Sequence, residues 1–233
     1  IGLQYDQTER ANWNTLTTAL LIHHIDIQVT AENAKSRVQP KALVIGDTIL
    51  DQYVACDPIG LSREAPVVVV KELELQPFLG GAAIVAAHLA SLGATTTFIS
   101  VIGNDNEADT VRAQLKTYHV NHNFLVDESR PTTLKTRYLV DNQKLFRVSR
   151  LREHALSQDL EEKFIAMLYE QMPQMDVVVV SDFVYGMITD RIVSTLLILS
   201  DLHNIPICGD LQCSSQIGNI SKFKNFHLLC PTE

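Results

Sequence analysis

The chain has 233 residues, 46% of them hydrophobic, and a formal net charge of −8. That length and apolar content support one large domain or two small ones around a sizeable core, and exclude a disordered chain. The acidic balance excludes a general nucleic-acid binder, which needs a basic face, and no apolar run, residues 177–180 included, is long enough to span a bilayer.

Residues 1–40 differ in texture from the rest. Leu16, Leu20, Leu21 and Ile25 recur at helical spacing, and residues 31–38 form a second helical stretch ended by Pro40. They read as an N-terminal helical extension with a packing role. His23 and His24 are adjacent and so do not share a helix face, which speaks against a metal there. The chain begins at Ile1 rather than Met, and no secretory signal is visible. Cys56, Cys208, Cys213 and Cys230 form no Cys-x-x-Cys pair, so they read as reduced thiols of a cytoplasmic protein with no metal site.

The globular part, residues 41–233, starts with the apolar run Ala42-Leu43-Val44-Ile45, typical of a strand buried on both faces. It leads into Gly46-Asp47 and Asp51, which read as one loop at the strand's C-terminal end, where open α/β sheets place ligands. Residues 57–78 alternate in polarity and read as a half-exposed hairpin. Gly80-Gly81 then opens a small-residue helix closed by Gly93, and leaves room for a ligand to approach backbone N–H groups. A strand over 95–102 ends in Gly103-Asn104-Asp105, and Ala108, Val111, Leu115 and Tyr118 mark the next helix.

Residues 132–140 and 145–148 read as a hairpin with a four-residue turn, 141–144. Its Lys135, Arg137, Arg147, Arg150 and Arg152 suit either phosphate contact or a charged, solvated edge strand. Leu160, Phe164, Leu168 and Met172 mark a helix stopped by Pro173. A buried strand then ends at Ser181-Asp182, Thr189-Asp190 starts a helix, and a short strand ends at Asp210. Strand and helix alternate as in a mostly parallel sheet, whose carboxyl edge would line up Asp47, Asp105, Asp182 and Asp210 in one crevice. No Gly-x-Gly-x-x-Gly follows the first strand, which argues against a nicotinamide-binding domain.

Taken in order, Gly46-Asp47 with Asp51, Ser62-Arg63-Glu64-Ala65-Pro66-Val67, Gly80-Gly81-Ala82-Ala83, Gly103-Asn104-Asp105 and Arg130-Pro131-Thr132-Thr133-Leu134-Lys135-Thr136-Arg137 resemble the ribokinase/PfkB family of carbohydrate kinases. Within it the set is most similar to the D-glycero-β-D-manno-heptose 7-phosphate kinase domain of lipopolysaccharide core synthesis. The resemblance implies a ribokinase-like α/β fold: a three-layer, mostly parallel Rossmann-like sheet with a small β lid over 53–78 and 132–150. It implies phosphorylation of a sugar phosphate at the anomeric hydroxyl with ATP and Mg2+, and a homodimer contacting through the lid. Carried over by position, Asp51 would bind sugar hydroxyls, with Asp47 beside it, and Gly80 and Gly81 would pack against the sugar. Asp105 and Asp182 would join them from the strand ends, and Arg137 would meet the existing phosphate. Asp210 and Thr232 fall on nucleotide-binding positions.

The chain also departs from the pattern. Ile84 and Thr232 replace asparagines of the family, and Tyr185 and Gln212 replace lysines. The Gly-Ala-Gly-Asp motif, which brings the anion hole and the catalytic base, would follow Glu233. Two expectations result: the sugar-binding part of a sugar kinase whose catalytic C-terminal part is absent from this chain, or a degenerate, non-catalytic domain that binds a sugar phosphate or a protein.

Overall fold

The computed structural model describes residues 39–212 and 218–230. The expectations for residues 1–38, Cys213 and Thr232 lie outside the described residues. In chain order the elements are β1 (Lys41–Gly46), β2 (Thr48–Leu61), β3 (Val68–Gly80), α1 (Gly81–Ser91), β4 (Thr95–Ile102), α2 (Asn106–Thr117), β5 (Asn121–Val126), β6 (Thr133–Val140), β7 (Gln143–Arg150), α3 (Gln158–Gln171), β8 (Val177–Asp182), α4 (Asp190–His203), β9 (Ile207–Leu211) and β10 (Leu228–Leu229).

Six of these strands form a parallel sheet in the order β10-β9-β8-β1-β4-β5. Alternate residues of β1 enter two cores. Leu43 and Ile45 pack with Phe164 and Leu168 of α3 and Ile192 and Leu196 of α4. Ala42 and Val44 pack with Ala82 and Ala86 of α1 and Val111 and Leu115 of α2. A strand covered on both faces needs a continuous apolar run, which is why β1 and β8 carry one. Each fully buried Leu, Ile, Val or Phe side chain contributes about 2 kcal/mol.

The remaining strands form a second sheet, β3-β2-β6-β7, in which β2 and β6 run parallel and the outer pairs antiparallel. This lid is larger than expected, because β2 starts one residue after Asp47. Asp51 is therefore a strand residue and not part of a loop. The β6–β7 turn is also tighter than expected. It has two residues, Asp141 and Asn142, at φ +47° and +67°, where Asp and Asn are tolerated, and pairing continues to Val140–Gln143. β5 was not foreseen: Asn121, His122 and Asn123 are too polar to read as a strand, but they lie on the sheet's edge.

α1 is docked by its N-terminus onto the end of β1. It has no side-chain cap; instead Ala82 N donates to the Asp47 carbonyl at 3.0 Å. Gly46 lies under this junction. A Cβ there would collide with the Ser181 carbonyl and come within 2.8 Å of the Ala82 Cβ. Gly46→Ala is expected to cost about 2–3 kcal/mol by forcing α1 away from the sheet, a loss to be read from the urea midpoint.

Candidate functional site

The parallel register of β1, β8 and β9 pairs Gly46 with Ser181 and Ser181 with Asp210. Asp47, Asp182 and Asp210 consequently emerge side by side at one sheet edge, all buried. Each has a different partner. Asp47 Oδ2 accepts from Phe183 N at 2.7 Å. Asp182, 1% exposed, accepts from Val184 N and from Lys222 Nζ, both at 2.8 Å. Both Asp210 oxygens accept from the Gln212 amide, at 2.8 and 3.0 Å. Val184 is held at φ +63°, an unfavourable conformation for a β-branched residue that costs about 1–3 kcal/mol. The bonds from Phe183 and Val184 to the two acids hold the loop in that shape.

Burial, with the negative charge of Asp182 adding to it, pushes the Asp47 carboxyl up to about 7, against the backbone N–H groups of Phe183 and Tyr185 and the Arg130 charge. Burial likewise pushes Asp210 up to about 6.

The lid contributes the opposite wall. Asp51 pairs with Lys135 and Tyr53 with Arg137 across β2 and β6, so all four share one face of the lid sheet. Arg137 Nη1 donates to Asp51 Oδ1, and its guanidinium lies 5.3 Å from the centre of the Tyr53 ring. Its Nη2 is buried with no hydrogen-bond partner among the described residues. Gly80 abuts the Asp51 carboxylate, into which a Cβ would run, and a Cβ at Gly81 would strike the Asp47 carbonyl. The Lys135 ammonium sits 4.9 and 5.3 Å from the ring centres of Phe183 and Tyr185. This joins the lid to the loop after β8 that donates to Asp47.

The structure thus gathers Asp47, Asp51, Gly80, Gly81, Arg137, Asp182 and Asp210. Asp105, the fourth of the expected strand-end acids, is engaged by backbone N–H groups of its own turn and of the lid's first residues. One of its oxygens caps α2 at Ala108 N, 2.9 Å, and the other accepts from Thr132 N, 2.8 Å, so it fixes the turn into the lid. The basic hairpin divides. Lys135 and Arg137 are buried inside, whereas Arg147 and Arg150 lie on the exposed strand β7, with Arg150 paired to Glu107 at 2.6 Å. Lys135 was read only as one of five basic hairpin residues suited to phosphate contact or a solvated edge, and Lys222 was not foreseen. The two-residue spacing of Lys135 and Arg137 was the available signal for the first; Lys222 meets Asp182 only through the fold.

Residues 39–208 match the sequence profile of the pfkB family carbohydrate kinases. The chain belongs to this family. It is 35% identical over 199 residues to the bifunctional protein HldE of Campylobacter jejuni strain RM1221, covering 85% of this chain and 41% of that protein. With HldE of Helicobacter pylori strain J99 the identity is 34% over 192 residues, covering 82% and 41%. The chain therefore spans less than half the length of these curated relatives. Ribokinase from Giardia lamblia superposes with a TM-score of 0.61 at 16% identity, over 83% of this chain and 62% of that one. Arabidopsis thaliana ribokinase complexed with ribose and ATP gives 0.56 at 16%, over 83% and 60%. These likenesses establish the ribokinase-like α/β fold.

Among the described residues no group of three or more His, Cys, Asp or Glu could hold a metal ion, and no helix is long and apolar enough to cross a membrane.

The raised Asp47 has a thermodynamic consequence. Between its ordinary 3.8 and about 7 the folded carboxyl keeps a proton that the unfolded chain releases, so stability falls as pH rises through that window. Asp47→Asn is expected to flatten the decline. Its urea midpoint should drop less than the wild type's between about pH 5 and 7.

Proposed function

We propose that this chain is the sugar-binding part of a sugar kinase that phosphorylates a heptose 7-phosphate-like sugar phosphate at the anomeric hydroxyl. The observation that carries the reading is the buried Asp51–Arg137 pair beside Gly80, with Arg137 Nη2 lacking an acceptor among the described residues. A carboxylate accepts sugar hydroxyls and an unmatched guanidinium N–H suits a phosphate oxygen, both on one wall. The glycines keep the facing backbone bare, so a sugar ring can lie against it. Asp47 stands at the adjoining end of β1, held there by the N–H of Phe183. The part these residues play is binding and orientation.

ATP with Mg2+, in the whole protein, supplies the phosphoryl group. The fit of the described residues to the nucleotide is poor: both carboxylate oxygens of Asp210 are engaged by the Gln212 amide.

A second reading has its own observation. Tyr185 stands where the resembled kinases carry lysine, and its ring is 2% exposed. A non-catalytic domain would bind the sugar phosphate through the same wall without turnover. ATP turnover on a heptose 7-phosphate by the full-length gene product separates the two.

We also propose that two lids pair. Leu73 and Leu75 of β3 and Phe146 and Val148 of β7 are exposed apolar residues on one small sheet, more than a solitary lid leaves to water. Sedimentation should show a dimer that Phe146→Asp shifts to monomer. Arg137→Lys keeps a charge but loses the planar fork; it should weaken heptose 7-phosphate binding about tenfold and leave the unphosphorylated heptose unaffected, read by calorimetry.

A further inference from the structure

Arg130 lies outside the wall just described, yet it contacts three chain segments at once. With Asp127 it forms a salt bridge at 2.7 Å, with side chains 7% and 5% exposed. Its Nη2 donates to the His154 carbonyl at 2.8 Å, and its Nη1 to the Tyr185 carbonyl at 3.2 Å. Asp127 follows β5 and is bonded by its own N–H to the Ile102 carbonyl at the end of β4, 2.9 Å. His154 belongs to the linker 151–157, through which the lid's last strand returns to α3. Tyr185 belongs to the loop that carries Phe183, the donor to Asp47.

Other contacts converge on the same junction. Ser129 Oγ donates to Asp127 Oδ1 at 2.5 Å and lies 2.8 Å from His154 Nε2. Leu156 N donates to the Gly186 carbonyl at 3.3 Å. Gly186 is pressed so closely on the linker that a Cβ would meet the His154 carbonyl carbon at 2.5 Å.

We propose that Arg130 is a positioning residue that locks the lid's return linker to the 183–186 loop, so that lid and sheet-edge acids are set by one fork. The planar guanidinium makes this possible. It spans a carboxylate and two carbonyls from a fixed geometry, which an ammonium cannot. The Arg130 charge also reaches Asp47, drawing its carboxyl down against the push of burial. The proposal rests on the sugar-kinase reading only for what the loop does, and not for the coupling itself.

The test is hydrogen exchange by mass spectrometry on the full chain without ligand, comparing wild type with Arg130→Lys and Arg130→Gln. Both variants should accelerate exchange about tenfold at Phe183, Val184 and Leu156 together, while β1 and β8 stay protected. Failure of Lys to rescue is the mark of the fork; rescue to wild-type rates would overturn the proposal, as would acceleration confined to residues 127–132. If exchange rises throughout, Asp127→Asn decides. It weakens the anchor while keeping the shape, and should loosen the same amides about threefold; no change at 183–184 and 156 would sink the coupling.

With a heptose 7-phosphate added, wild type should gain protection in both segments and Arg130→Lys in the 183–186 loop alone. No binding to wild type would overturn the sugar-kinase reading and leave the ligand-free comparison standing.

Discussion

The Asp51–Arg137 pair governs how this molecule is put together. Two adjacent parallel strands, β2 and β6, bring a carboxylate and a guanidinium to the same face and remove both from water. Burying two such ions costs several kcal/mol each, and their attraction repays this only when every N–H and every lone pair finds a partner. Here the Tyr53 ring covers the guanidinium, but Nη2 has no acceptor among the described residues. An unmet buried donor costs stability, and in the proposed function an anionic ligand supplies its acceptor. Whatever supplies the acceptor stabilises the folded chain by mass action.

The second half of the site meets the same problem differently. Asp47 and Asp182 are forced together by the sheet register, and one of them is neutralised by Lys222 while the other keeps its proton to higher pH. Their backbone donors come from Phe183 and Val184, so the acids and the strained loop hold each other in place. Lys135 from the lid, stacked over Phe183 and Tyr185, and Arg130 from beneath then tie this loop to the lid. Lid, loop and sheet-edge acids are thus linked by direct contacts.

What was legible in the sequence follows from the physics of burial. Strands such as β1 and β8, covered on both faces, require unbroken apolar runs, and the acids after them stand out for that reason. Gly80-Gly81 was legible because a backbone approach admits no side chain. An edge strand has no such requirement, so Asn121-His122-Asn123 concealed β5. Asp51 was misplaced because a strand that starts one residue after another ends looks like a loop. Asp105 resembled its neighbours in sequence, yet the turn into β6 supplies the N–H of Thr132, which takes its free oxygen. The Lys222–Asp182 bond and the reach of Arg130 to Tyr185 could not be found, since these partners lie 40 and 55 residues apart. Only the fold brings them together.

The most direct test of the account is a crystal structure of the full-length gene product with a heptose 7-phosphate bound. The account places the sugar hydroxyls on Asp51 against Gly80 and Gly81, and a phosphate oxygen within hydrogen-bonding distance of Arg137 Nη2. A sugar phosphate seated elsewhere, with Arg137 Nη2 still lacking an acceptor, would contradict it.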